Sequence, residues 1–111
     1  MTQSEAAFLP GTLNLLILKT VAMGPTHGWG ISRRIRTLSS DVLEVNQGSL
    51  YPALQRLEQR GLIHATWGTL PDGGRRVRVY QLTPKGRTYL AHERDLWSGF
   101  VAAVQRILET A

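Results

Sequence analysis

No cysteine occurs among the 111 residues. That excludes a disulfide framework and a thiolate metal site, and it suits a reducing cytosol. Histidine is scarce too: His27, His64 and His92 are the only three, and their spacings match no metal signature. Acidic residues number 8 against 13 Lys and Arg. They form no close carboxylate pair of the glycosidase kind, and neither a Gly-rich phosphate loop nor a Gly-x-Ser-x-Gly elbow is present. These absences point away from an enzyme and from a bound cofactor or metal. Long hydrophobic runs are missing as well. The first apolar stretch, residues 13–23, is broken by Asn14, Lys19 and Thr20 and has no basic region before it. It is too short to span a bilayer and reads as a core helix, so neither a signal peptide nor a membrane partner is expected.

What is present suits one folded domain. The apolar fraction is 42%, that of a globular chain, and 111 residues suffice for one core and not two. The net charge of +5 is unevenly placed. Residues 1–32 hold Lys19 and Glu5, net zero; residues 33–87 hold ten basic and four acidic residues, net +6; residues 88–111 hold two basic and three acidic, net −1. A basic middle is what a polyanion needs, because phosphate neutralisation supplies most non-specific DNA affinity. Ordinary solubility charge would give the same total.

Punctuation divides the chain into elements. Residues 1–10 read as a loose arm. Thr12 predicts an N-cap for a helix over 13–23 whose face is Leu13, Leu16, Ile17, Thr20 and Val21, ended by Gly24-Pro25. A second helix over 28–38 has the stripe Ile31, Ile35 and Leu38, with Arg33, Arg34 and Arg36 turned to solvent or phosphate. A third over 47–60 has Leu50, Leu54 and Leu57 inward and Gly61 as its left-handed terminator. Pro52 implies either a later helix start or a small bend. Two strands, over 62–67 and 77–82, flank the turn-rich run 68–74 and predict a hairpin. Thr83 and Pro84 then open a helix to about residue 109, roughly 39 Å long at the standard rise.

Helix, helix, helix, strand, strand is the order of a winged helix-turn-helix: mainly α, with a small β-hairpin wing and here one long C-terminal helix. In that plan the third helix enters the major groove and the wing follows the phosphates. The outer face of the third helix carries Gln47, Ser49, Tyr51, Gln55 and Arg56, and the wing carries Arg75, Arg76 and Arg78. These are the candidate DNA contacts. Tyr51 has two readings: a hydroxyl meeting phosphate, or a ring packed between the second and third helices. Glu58 and Arg60 read as solvated surface.

One set of motifs is specific. Gly48-Ser49-Leu50-Tyr51-Pro52-Ala53-Leu54, continuing through Arg56-Leu57-Glu58 to Gly61-Leu62-Ile63, resembles the signature of the PadR family of transcriptional regulators. Supporting it are His27-Gly28-Trp29, where the family usually shows His-Gly-Tyr, and Arg75-Arg76 leading to Tyr80-Gln81-Leu82-Thr83-Pro84-Lys85-Gly86. The resemblance covers residues 10–90. It implies a cytoplasmic bacterial winged-helix dimer that represses promoters and often responds to small phenolic or drug-like molecules. The single long terminal helix is similar to the short PadR subclass, in which that helix dimerises. In that subclass an aromatic at the place of Trp97 can line a ligand pocket between protomers. The plainer reading makes Trp97 an interface anchor.

The dimer expectation also stands without the family. Leu90, Trp97 and Val104 repeat every seven residues, as do Phe100 and Ile107; with Val101 and Leu108 they form a stripe that one small unit cannot cover. The expected division is a reading domain over 1–83 and a dimerisation helix over 84–111, with a two-fold dimer facing a palindromic duplex. The alternatives are a basic winged helix that binds RNA and a protein-interaction module without an effector.

Overall fold

The computed structural model describes residues 11–71 and 73–111. The arm expected over residues 1–10 lies outside them. Seven elements follow in order: α1 (Thr12–Ala22), β1 (Thr26–His27), α2 (Gly28–Leu38), α3 (Gln47–Gln59), β2 (Ile63–Thr69), β3 (Arg76–Leu82) and α4 (Pro84–Leu108). Three helices stand around one core, a hairpin projects from it, and α4 runs on past it. The molecule is accordingly long, 58 × 35 × 20 Å.

The core is built where the periodicity places it. Ile17, Leu18 and Val21 of α1, Ile31 and Ile35 of α2, and Leu50, Ala53, Leu54 and Leu57 of α3 are all buried, and Leu62, Ile63, Tyr80 and Leu90 close the cluster. At roughly 1.5–3 kcal/mol per large apolar side chain, this burial is the main drive to fold. Leu38 is not part of it. It is 60% exposed, because α2 ends there and the chain turns away. At that turn Ser40 and Asp41 take positive φ, and the Arg36 carbonyl accepts from the Asp41 N–H at 2.8 Å.

The caps differ from expectation at one place. Gly11, at φ +85°, is the N-cap of α1 and Thr12 is its first helical residue. The other starts use side chains: His27 Nδ1 accepts from the Gly30 N–H, Asn46 Oδ1 from the Ser49 N–H, and Thr83 Oγ1 from the Gly86 N–H. α3 begins at Gln47, so Pro52 lies inside the helix, in its second turn. Pro52 is on the exposed side, where water can satisfy the Gly48 carbonyl in place of the missing N–H.

The sheet has three strands, not two, in the order β1-β3-β2, all antiparallel. β1 escaped the sequence because two residues show no alternation. Its Thr26 and His27 pair with Tyr80 and Val79, which ties the start of α2 to the wing.

α4 is the least uniform element. Its first turns belong to the core: Leu90 is only 6% exposed, and Tyr89 packs alongside. The heptad with Trp97 places Leu90 at the dimer interface. The structure corrects this, since the protomer's own core uses Leu90 and leaves Trp97 outside. Gly86 makes the close approach that seats α4. A Cβ there would collide with the Leu62 carbonyl oxygen and meet Leu82 Cδ1 at 2.9 Å. Gly86→Ala should therefore lower stability by about 1–3 kcal/mol through overpacking. Urea unfolding checks it: a midpoint equal to the parent's would contradict the close approach.

Candidate nucleic-acid interface

α3 is held to the core by Leu50, Ala53, Leu54 and Leu57, so its outward face is fixed by helical rotation. Opposite the buried stripe lie Gly48, Pro52, Gln55 and Gln59, all exposed. Gln47 and Tyr51 sit on the flank towards the wing, and Ser49 and Arg56 on the other flank; all four are exposed. Gln55 is thus the central member of the expected set. Pro52 and Gln59, one helical turn either side of Gln55, share its exposed line.

Tyr51 packs against α2 and yet stays partly in solvent. Its ring lies against the backbone of Gly28 at the start of α2, where a Cβ would come within 2.8 Å of the phenolic oxygen. The residue is nevertheless 47% exposed. Gly28 is therefore needed for the ring's seat.

One face of the hairpin runs from the core to the solvent. Along it Ile63, Ala65, Trp67 and Thr69 of β2 pair with Leu82, Tyr80, Arg78 and Arg76 of β3. The inner end is apolar and buried. The outer end carries Trp67, with the Arg76 guanidinium 4.8 Å and the Arg78 guanidinium 5.6 Å from its ring centroid. Arg78 also donates from Nη2 to Glu58 Oε2 at 2.8 Å, which links the wing to α3. Glu58 is thus not idle surface. Between wing and helices opens a cleft of about 690 Å3, with Trp29, Gln47, Tyr51, Trp67, Arg76 and Tyr80 on its walls. Among the described residues three arginines and no carboxylate line it.

The basic residues of α2 divide by role. Arg34 donates from Nη1 to the carbonyls of Thr20 at 2.8 Å and Gly24 at 2.7 Å, closing the C-terminus of α1. Its expected outward orientation is corrected: this arginine is structural. Arg36 pairs with Asp41 at 3.2 Å. Arg33 stacks on Trp29 at 4.6 Å, and Trp29 in turn stacks on His27.

At the other end of the molecule α4 exposes Leu96, Trp97, Phe100, Val101, Ile107 and Leu108. Trp97 and Phe100 stand 6.2 Å apart. Val104 is half-buried. No helix among the described residues is long and apolar enough to cross a membrane.

An exposed polar helix face, flanked by an arginine-bearing hairpin and braced by a second helix, defines a winged-helix DNA-binding protein. The family model of the transcriptional regulator PadR-like family matches residues 17–92, and the chain belongs to that family. Its members are DNA-binding regulators of transcription, not enzymes. A Mycobacterium tuberculosis protein, transcriptional regulator Rv3488, is 36% identical over 87 residues, covering 78% of this chain and 77% of its own. A Lysinibacillus sphaericus protein of uncharacterised role is 28% identical over 99 residues, 89% of this chain and 90% of its own. Among solved structures, a PadR-like transcriptional regulator of Bacillus cereus superposes with a TM-score of 0.78 at 25% identity, covering 91% of this chain and 95% of its own. A transcriptional regulator of Clostridium thermocellum gives 0.81 at 25% identity, covering 89% and 92%.

Tyr80 forms the buried end of the wing face and gives a pH test. Burial raises its phenol pKa above the usual 10.0, Glu58 acts in the same direction, and Arg78 beside it pulls the other way. The folded state thus disfavours the phenolate. Its contribution is complete below the unfolded value near 10.0 and is lost as pH rises from there through the folded value. Tyr80→Phe should flatten the alkaline fall in stability. Denaturation at about pH 8 and above about pH 10 measures it, either side of the phenol's ordinary titration. An unchanged alkaline limb would contradict the assignment.

Proposed function

We propose that this regulator is a homodimeric, sequence-specific repressor that binds a palindromic duplex and blocks transcription by occupying the promoter. The observation that carries the reading is that Gln47 and Tyr51 of α3 line one cleft with Arg75, Arg76 and Arg78 of the wing. Gln55, with Ser49, Gln47 and Tyr51, reads base edges; Arg56, Arg75 and Arg76 meet phosphates. Arg78, tied to Glu58, contributes mainly by holding the wing. A cytoplasmic location accompanies this role.

The exposed stripe of α4 supports the dimer. It runs from Leu96 to Leu108 with apolar residues at spacings of three and four, beyond the last core residue of the helix. Left wet, several large side chains at roughly 1.5–3 kcal/mol each make a strong drive to pair. The partner is a second copy, because a two-fold axis along α4 delivers two reading helices to two half-sites. A flat aromatic effector between the two Trp97 rings is the finer reading of that residue. Quenching of Trp emission by a planar dye, abolished in Trp97→Phe, supports it; retained quenching argues against it.

Two measurements test the main reading. Sedimentation at micromolar concentration should give a dimer, and Phe100→Asp should shift it towards monomer; a monomeric parent refutes the account of the stripe. Binding to duplexes from the gene's own upstream region should weaken steeply with salt. Arg75→Ala and Arg76→Ala should each reduce the salt slope by about one, the value for a single neutralised phosphate, and weaken all sequences alike. Gln55→Ala and Ser49→Ala should change sequence preference instead. Tighter binding to structured RNA than to any duplex would favour the RNA-binding alternative.

A further inference from the structure

Trp67 is large, aromatic and 59% exposed on a hairpin, a position where burial cannot account for it. It is also the shared neighbour of two cations. Arg78 is its direct cross-strand partner, and Arg76 is the diagonal one on the same face. Both guanidiniums lie within the range of a cation–π interaction.

The two arginines are held differently, and the difference matters. Arg78 has its edge engaged, since Nη2 donates to Glu58, and it lies beside the Tyr80 hydroxyl. Arg76 lies over the ring, its guanidinium carbon 4.8 Å from the centroid, and among the described residues its guanidinium has no ion pair or hydrogen bond. A guanidinium held over a ring without a polar partner keeps its N–H groups available, while its long side chain is already restrained. That is the state an arginine needs to meet a phosphate bidentately with little further loss of rotamer freedom.

We propose that Trp67 is a positioning residue of the wing: its indole, anchored to α3 through Arg78 and Glu58, presents the fork of Arg76 to the nucleic-acid backbone. The inference rests on the DNA-binding reading and adds to it the residue that makes one wing arginine effective. Trp67 acts through Arg76, so its effect is independent of sequence.

The test is a double-mutant cycle in duplex binding, at a temperature where circular dichroism shows every variant folded. Trp67→Leu should weaken binding to operator and random duplex alike, by about tenfold, the scale of a partly desolvated cation–π interaction. Trp67→Phe, which keeps a ring face, should recover most of the loss. In the Arg76→Ala background Trp67→Leu should cost less than about twofold, because the group it serves is gone. An equal loss in both backgrounds, or Phe no better than Leu, overturns the inference. Should Trp67→Leu fail to fold, Arg76→Lys asks the same question from the cation's side. It keeps the charge but loses the planar face, so affinity should fall towards that of Arg76→Ala; parental affinity overturns the inference. A parent that binds no duplex refutes the DNA-binding reading as well, whereas a parent that binds equally with and without Trp67 refutes this inference alone.

Discussion

Around the Leu62 carbonyl, four elements converge. The carbonyl accepts from the Thr83 N–H at 3.2 Å and lies against Gly86, where only a hydrogen leaves it room. One residue back, Gly61 O accepts from Thr83 Oγ1 at 2.7 Å, and Arg60 O accepts from Lys85 Nζ at 3.0 Å. The end of α3, the start of β2, the end of β3 and the start of α4 are therefore joined within a few residues. Gly61, at φ +75°, provides the left-handed turn that lets α3 stop there. The consequence is geometric. α4 leaves the core in a direction set by α3, the proposed reading helix. Any partner that pairs along α4 thereby fixes the separation and tilt of two α3 helices. A looser junction would leave dimerisation and half-site spacing uncoupled.

The charge distribution looks different once the partners are known. The excess of +6 over residues 33–87 suggests a broad basic field. Much of it is engaged within the protomer: Arg34 closes α1, Arg36 pairs with Asp41, Arg78 pairs with Glu58, and Arg60 stacks on Tyr89 at 4.8 Å. Exposed pairs of this kind add little stability, so their value is orientation. Among the described residues, Arg75 and Arg76 of the wing and Arg56 on the flank of α3 have no carboxylate partner, and neither do Arg33 of α2 and Arg87 of α4. Net charge thus overstates the footprint, and the pairing of individual residues locates it.

Most of the architecture was legible because it rests on local rules. The stripes of α1 and α3, the cap at Thr83, the terminator at Gly61 and the hairpin all follow from spacing and turn chemistry. What was not legible depended on tertiary position. Leu38 fits the α2 stripe but falls at the helix end. β1 is too short to alternate. Arg34 resembles its neighbours Arg33 and Arg36 in sequence, yet only its position reaches the open carbonyls of α1. The candidate interface shows the same limit. The exposed residues of α3 were readable from the period, whereas the Glu58–Arg78–Trp67 link spans three elements and has no sequence signature.

The heptad of α4 is the clearest case of a pattern with two causes. Leu90 and Trp97 occupy equivalent positions, yet Leu90 is 6% exposed and Trp97 is 37% exposed in the protomer. Both are apolar because both need cover, but from different sources. The globular unit reaches little further along α4 than Leu90, and it supplies cover for the first part of the stripe. Among the described residues no core residue follows Leu90 on α4, and the helix continues with the same period. A continuous repeat across this change means that α4 meets one environment after another on one face, first its own core and then, in the proposed dimer, the second copy. The core contact and the proposed dimer contact are in this way two segments of a single helix, so a rigid α4 would couple the tilt of the one to that of the other.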